Sequence, residues 1–431
     1  MWIFKILSIV FLIVLTSFYF FPFEFTFLPG FNTKMIMAGI GLVLLLFRLG
    51  LKQNSQISKD FFVLSIWAGV VSLMGLLSVA WNDTNDYTYS TYIISMWVWT
   101  SAAYVLVYCM NLFHQNVSFR LLSNYLIVVG VVQCLLAYLI NIFPILKNWV
   151  DSFLGGKGFM GKMDDRLYGI GAALDVAGTR FSVILILIAF LLTNIVEAQR
   201  KIYIWLYVVA FMIIGLIGNM MSRTTTIGLV IALCYFIYVS QLYKLKLSLN
   251  LVYIVKCFFI SLLVIIPFVI WKYNVDITFQ QHIRFAFEGF FSLAEQGEWD
   301  VHSNELLKKM YVFPEQLQTY IIGDGYFNNP SEINPHYTGH RWIGYYQDTD
   351  VGYLRFIYYF GLLGLLSFCI FMWKSCRSCI NRFPSFGIFF MMILVLNFII
   401  WFKVSTDIFL VFALFLVFSN EKQKTDINII D

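Results

Sequence analysis

Residues Leu251–Trp271 read LVYIVKCFFISLLVIIPFVIW, with Lys256 as the sole charge. A helix rises 1.5 Å per residue, so a run of about 20 such residues matches the ~30 Å hydrocarbon core of a bilayer. Ile3–Phe21, IFKILSIVFLIVLTSFYFF, has the same character. No small-residue cleavage site follows it, because Phe20-Phe21-Pro22-Phe23-Glu24-Phe25 is bulky, so it reads as a retained helix rather than a signal peptide. Of the 431 residues, 60% are hydrophobic and 12% charged. Soluble domains carry about 25% charged residues, so this chain has too few to cover a surface facing water. The expectation is an all-α integral membrane protein, a single polytopic domain over residues 1–431.

Apolar runs place about twelve transmembrane helices, at roughly 3–22, 35–51, 61–81, 91–113, 121–143, 179–196, 202–220, 224–242, 249–271, 351–373, 386–402 and 407–419. Lysine and arginine in the short loops set the orientation. Arg48, Lys52 and Lys59, then Arg120, Arg200 and Lys201, Lys244 and Lys246, and Lys374, Arg377 and Arg382 fall on one set of connections. The alternate connections at 23–33 and 82–90 hold neither residue. Both termini are therefore expected in the cytoplasm, with two large external loops at 144–178 and 272–350. The second loop mixes aromatic residues, Pro and Gly with polar groups, a composition able to fold. No internal repeat is found, which removes one argument for an inverted-repeat transporter.

Several cations break the orientation bias. Arg166 and Arg180 fall in the first external loop, Arg223 opens the eighth span, and Arg284 and Arg341 lie in the second loop. Arg355 is one turn into the tenth span, and Lys403 stands in the turn of the last hairpin. A guanidinium fork suits phosphate and pyrophosphate, so cations grouped on one face suggest an anionic ligand. Pairing with a carboxylate, or snorkelling to headgroups, accounts for any one of them taken alone. The span centres carry no Lys, Arg, Asp, Glu or His. Ion-coupled carriers place titratable groups there, so a site at the external membrane edge fits better than a proton-coupled carrier.

Other motifs carry less. Gly156-Lys157-Gly158-Phe159-Met160-Gly161-Lys162-Met163 lacks the hydroxyl that a phosphate-binding loop places after its lysine. Asp348-Thr349-Asp350 is a D-x-D triplet, and Thr349 or Asp350 is placed to cap the tenth span. His282, His302, His336 and His340 match no metal-site spacing, and no metal or other cofactor is expected. Cys376 and Cys379 form a lone C-x-x-C in a short basic loop, and no disulfide is implied for the seven cysteines.

The order of several short segments carries a resemblance. Ile321-Ile322-Gly323-Asp324-Gly325-Tyr326 leads to Thr349-Asp350-Val351-Gly352-Tyr353-Leu354-Arg355 and then to Tyr359-Phe360-Gly361-Leu362-Leu363-Gly364. With Ser303–Pro314 upstream, this is similar to the end of the large external loop in bacterial O-antigen polymerases of the Wzy type and related capsule-repeat polymerases. Met221-Ser222-Arg223-Thr224 resembles the Ser-Arg segment that opens a span in polymerases and in O-antigen ligases. Arg166-Leu167-Tyr168-Gly169 resembles the arginine-glycine segment of the preceding external loop, and Lys403 matches a lysine of the final hairpin. Asp350 stands where ligases of this superfamily commonly carry a histidine, which favours a polymerase. Asp175 stands nearest to a position where similar proteins have asparagine.

The resemblance implies a bundle of the C-type glycosyltransferase kind in the bacterial plasma (inner) membrane. Its substrate would be an undecaprenyl-pyrophosphate-linked oligosaccharide, with membrane lipids and a chain-length regulator as further partners and no nucleic acid. Arg166, Arg223 and Arg355 would steady the pyrophosphate, backed by Arg284, Arg341 and Lys403. Asp350 would orient or deprotonate the acceptor hydroxyl, with Asp348 and His340 as alternates. Tyr326, Trp342, Tyr345 and Tyr346 would stack on sugar rings or anchor the interface. A ligase acting on lipid A core and a lipid-linked oligosaccharide flippase are the other readings.

Overall fold

A computed structural model describes residues 2–50, 58–114, 117–154, 166–194, 200–241, 249–329 and 344–417. Among these, β-structure is limited to isolated bridges at Glu24–Asn32, Phe25–Leu154 and Asn328–Tyr345. The helices are α1 (Trp2–Phe20), α2 (Thr33–Gly50), α3 (Lys59–Asn82), α4 (Tyr92–His114), α5 (Phe119–Ile142) and α6 (Pro144–Phe153). Next come α7 (Leu174–Thr193), α8 (Arg200–Met221), α9 (Thr225–Val239), α10 (Leu249–Val275), α11 (Ile277–Ala286) and α12 (Glu288–Gln296). The last are α13 (His302–Lys309), α14 (Leu317–Ile321), α15 (Gly352–Arg382), α16 (Gly387–Ile400) and α17 (Phe409–Leu416). Eight of them, α1, α3, α4, α5, α7, α8, α10 and α15, are long and apolar enough to cross a membrane. Shorter apolar stretches occur at Thr33–Phe47, Thr225–Val239 and Pro384–Ile400, and α17 has 8 residues.

Three expectations need correction. Arg180 is not in a loop: α7 begins at Leu174, and Arg180 is buried within it. Cys376 and Cys379 are not in a loop either. They lie in α15 and are buried, with their thiols against the carbonyls of Phe390 and Phe412 at 3.4 and 3.6 Å. Their basic neighbours suggested a loop, but the buried face of the helix continues through them. All seven cysteines are free. The third correction, at Asp350, is described with the site. The 272–350 segment holds α11, α12, α13 and α14, and α6 lies in the 144–178 segment.

Contacts divide the described chain into two units, one built from residues up to Ile36 with Leu106–Asp300, the other from Met37–Val105 with residues from Val301 on. In the first, α7 is apolar on every face from Val183 to Leu192, and every residue from Ala177 to Leu192 is buried, as a helical stretch without a polar face must be. α9 crosses it through small residues. A Cβ on Gly228 would lie 2.2 Å from Ser182 Cα. Ser182 Oγ donates to Thr224 O (3.0 Å) and accepts from Gly228 N (3.2 Å). Close approach of this kind holds helices together in lipid, where apolar side chains gain nothing by leaving the solvent. α10 shows the other side of that rule, leaving Leu263, Val264 and Ile270 exposed.

In the second unit α15 packs along α3 and breaks at Phe360 (φ −136°, ψ 18°) and Gly361 (φ 67°, ψ −173°). The break frees backbone carbonyls, which cost several kcal/mol if left unsatisfied in an apolar medium. The turn after α14 meets them. Asp324 N donates to Tyr358 O (2.6 Å) and Gly325 N to Tyr359 O (3.2 Å), while Ser78 Oγ of α3 donates to Tyr359 O (2.7 Å). Gly323 (φ 87°) and Gly325 (φ 75°) supply the left-handed turn. A Cβ on Gly361 would sit 2.2 Å from Ile321 O. The Ile321–Tyr326 and Tyr359–Gly364 motifs are thus two halves of one packing unit.

Candidate functional site

In the first unit, residues 166–173 form a loop pinned by Gln133 of α5. Its Nε2 donates to Ile170 O (2.8 Å) and its Oε1 accepts from Ile170 N (3.0 Å). A Cβ at Gly169 would lie 2.5 Å from that Oε1, so glycine lets the loop press onto the amide. Leu167 N donates to Met220 O (3.2 Å), tying the loop to the end of α8. Arg223 sits in the turn between α8 and α9. Asp175 Oδ1 accepts hydrogen bonds from Ser222 Oγ (3.0 Å) and from Thr224 Oγ1, the residues on either side of Arg223.

Arg166 and Arg223 converge on one aromatic ring. Their guanidinium carbons lie 4.7 and 4.2 Å from the centroid of Phe285, so they are no farther apart than the sum of those distances. Two unit charges that close repel by about 2 kcal/mol or more at an effective dielectric of ~20. The ring face offsets part of this, at about 0.5–1 kcal/mol per cation. Arg223 also donates through Nε to Phe285 O (2.9 Å) and pairs with Glu288 at 2.7 Å. The Glu288 carboxylate compensates one of these charges, and the two guanidinium groups still present planar sets of donors suited to an anion. Arg284 pairs with Glu295 at 2.6 Å and donates to the Tyr273 hydroxyl at 3.1 Å, both through surface contacts. The Arg284 bond holds the Glu295 carboxyl below its usual range.

Arg166 also lines a cavity of about 260 Å³ together with Lys147, Asn141, Tyr168, Thr278 and Gln281. Tyr168 donates its hydroxyl to Asp151 (2.8 Å). Burial first, and that carboxylate second, push the Tyr168 phenol above its ordinary range, which keeps it neutral.

The second unit holds the other described candidates. Arg355, in the first turn of α15, is buried and heavily engaged. Nη1 donates to Ser405 Oγ (3.1 Å), and Nη2 to Phe327 O (3.1 Å) and Asn328 Oδ1 (3.0 Å). Its guanidinium carbon lies 3.7 Å from the Phe327 centroid and 4.3 Å from that of Tyr345. These contacts make it a tie between the 327–328, 345 and 405 segments. Asp350 does not cap α15. The N-cap is Val351, which has no side-chain cap bond, because the helix starts one residue later than the D-x-D spacing suggests. Thr349 Oγ1 accepts only from Val351 N (3.3 Å), and the Asp350 carboxylate lies 3.5 Å from Arg355 Nη1.

Asp348 and Gln347 both adopt φ 55°, a left-handed conformation unusual for two consecutive non-glycine residues. Tyr346 donates to Asp324 Oδ2 (3.2 Å), and its ring lies 5.4 Å from that of Tyr326. Lys403 stands in the turn after α16, its backbone N bonded to Ile400 O (2.8 Å). Arg341, His340, Trp342 and the Gly156–Met163 stretch lie outside the described residues. Among the described residues, no three His, Cys, Asp or Glu side chains group as metal ligands.

Sequence reasoning missed Lys147, Phe285, Glu288, Gln133 and Asp86. Asp86 Oδ2 accepts from Phe327 N (2.8 Å) and Asn328 N (3.1 Å), across 241 positions or more of chain. Nothing in local spacing signals such partners. Lys147 alone had a signal, as a cation in a loop otherwise read as external. No family model matches the chain, and no curated protein or solved structure matches it either.

Proposed function

We propose that the chain is a membrane glycosyltransferase that joins lipid-pyrophosphate-linked oligosaccharide repeats into O-antigen or capsular polysaccharide at the external face of the bacterial plasma membrane. In this reading it has about twelve spans, with α17 within the last, and both termini in the cytoplasm. The observation that carries it is the pair of guanidinium groups, Arg166 and Arg223, stacked on the single ring of Phe285. The reaction breaks the bond between the anomeric carbon of the growing glycan and its pyrophosphate, and forms a bond from that carbon to a hydroxyl oxygen of the next repeat. Negative charge gathers on the departing pyrophosphate, and preorganised cations lower the barrier to its departure. Arg166 and Arg223 take that role. The acceptor hydroxyl loses its proton to a carboxylate, for which Asp350 is the candidate. Arg355, held by protein groups, orients Asp350.

The test uses purified protein in lipid with lipid-linked repeats and reads glycan length. Arg166→Ala and Arg223→Ala are expected to stop elongation while the protein stays folded. Lysine at either position is expected to rescue poorly, since a point charge loses the bidentate contact. Long ladders from both alanine variants refute the assignment. Substrate crossing the bilayer without elongation would identify a flippase, and transfer to lipid A core a ligase.

A further inference from the structure

We infer that α6 is a membrane anchor. It lies along the lipid headgroups beside the end of α5, with Ile145 and Trp149 immersed in the leaflet and Phe27 of the neighbouring turn immersed next to them. The anchor is independent of the reaction proposed above.

α6 reads PILKNWVDSF. At 3.6 residues per turn Ile145 and Trp149 share one edge of the helix, and Lys147 and Asp151 share the opposite one. A short helix with an aromatic-aliphatic edge opposed to a charged one is the form that lies in an interface. The charged edge and the inner face are seated on protein. Asp151 Oδ1 accepts from the Tyr168 hydroxyl (2.8 Å), and Lys147 lines the cavity next to that loop. Val150 is buried against Ile140 of α5. The apolar edge is open, with Ile145 86% and Trp149 61% exposed.

Isolated exposed apolar residues need no explanation, but these two end a longer stripe. Val128, Val132, Leu135, Leu139 and Ile142 are exposed at intervals of four and three along α5. That spacing is one face of a helix, and α5 is long and apolar enough to cross a membrane. The surroundings of this face are therefore hydrocarbon. Phe143 alone separates α5 from α6, and it is exposed as well. Three residues reach at most about 11 Å, so Ile145 cannot leave the bilayer edge where α5 ends. The same lipid that covers the α5 stripe covers its continuation.

The far end of α6 is held at the same edge. Thr26, in the turn between α1 and α2, donates through N to Phe153 O (2.9 Å) and through Oγ1 to Ser152 O (3.0 Å). That turn presents Phe27, 74% exposed and stacked on Phe25 with centroids 4.8 Å apart, and beside it Leu28 and Phe31, also exposed. Pinned to helix ends on both sides, α6 cannot swing into water. Trp149 suits the headgroup level, where its ring meets acyl chain and its N–H meets polar groups. Because Asp151 holds Tyr168, the anchor also sets the level of the 166–173 loop relative to the bilayer.

The test places a fluorescent amino acid by codon suppression at Ile145, Trp149, Phe27 or Asn148 of the full-length protein in phosphatidylcholine nanodiscs. Quenching by a nitroxide on the upper acyl chain is compared with quenching by aqueous iodide. Ile145, Trp149 and Phe27 should favour the lipid quencher several-fold over Asn148, which stands a sixth of a turn or more off the apolar edge. Ile145→Asp should speed hydrogen exchange of α6 about 10-fold or more, the effect of one aliphatic side chain withdrawn from an apolar medium, and Ile145→Leu should not. In water a change at so exposed a position would be nearly neutral, so this variant separates lipid contact from packing. Iodide reaching Ile145 and Trp149 as readily as Asn148 overturns the anchor, and so does unchanged exchange in Ile145→Asp. Quenching by neither agent overturns it too, and would show that a second protein surface covers the edge.

Discussion

Gly361→Ala tests whether the glycine motifs of the second unit serve packing. Gly361 holds φ 67° and ψ −173°, a region occupied almost only by glycine, where another residue costs about 1–3 kcal/mol. The added Cβ would also stand 2.2 Å from Ile321 O and 2.6 Å from Ile322 N. Backbone atoms cannot rotate away, so the Ile321–Tyr326 turn must retreat. Retreat puts at risk the bonds from Asp324 N to Tyr358 O and from Gly325 N to Tyr359 O, each contributing about 0.5–1.5 kcal/mol. The sum is about 2–6 kcal/mol, a large fraction of the ~5–15 kcal/mol that holds an ordinary domain folded. Gly39→Ala is the control in the same unit. Gly39 lies in α2 with nothing within 4 Å of its would-be Cβ, so alanine should be neutral or stabilise by up to about 1 kcal/mol. Thermal and denaturant unfolding of the purified protein would read both, with accessibility of a cysteine placed at Tyr326 reporting the turn. Equal stability of Gly361→Ala and Gly39→Ala, with Tyr326 unmoved, would refute the complementary-turn account.

Asp350→Asn should insert and express normally yet lower glycan elongation by about 100-fold or more, and because Asp350 makes no cap bond to α15, Asp350→Ala should match it in stability; near-normal chain lengths would remove Asp350 as the base. Fusion reporters should place Asn82, Lys157 and Tyr326 outside and Gln53, Gln199 and Ser385 in the cytoplasm, and a cytoplasmic signal at both Lys157 and Tyr326 would invert the topology. Asp276 accepts from Thr278 N (3.0 Å) and Phe279 N (3.1 Å) at the start of α11, so Asp276→Ala should cost about 1 kcal/mol locally and Asp276→Asn much less, as read by hydrogen exchange. The Lys272 hydrogen bond holds Asp276 below its ordinary value of 3.8, and the Arg284 bond holds Glu295 below 4.5. A depressed carboxylate stabilises the fold above its unfolded value and loses that contribution as pH falls through the folded one. Protection of α11 and α12 should therefore hold down to the ordinary carboxylate range and fall below it, and protection that weakens already near neutral pH would show that other groups control it.

Helix content and membrane character were legible in the sequence because both depend on local composition. A run such as Leu251–Trp271 has no water-soluble solution, and α10 occupies it with its apolar face exposed. Arg166 and Arg223 could be singled out because a cation outside the positive-loop set is visible residue by residue. Their common ring could not, since Phe285 is one of 45 phenylalanines and only folding brings it between residues 62 and more than 100 positions away. Local logic misled at Asp350, where the D-x-D spacing suggested a cap, while the tertiary environment placed the carboxylate near Arg355 and started the helix a residue later. It misled again at Cys376 and Cys379, whose basic neighbours suggested a loop within a buried helix face. The sequence by itself determined that the chain is helical and rich in segments suited to lipid, eight of which are long and apolar enough to cross a membrane among the described residues, because backbone hydrogen bonds within a helix and the hydrophobicity of a run are properties of neighbours along the chain. The tertiary structure alone decided which carbonyls the Gly361 break frees, which turn meets them, and which cations share a ring, because each depends on groups remote in sequence coming within a few ångströms.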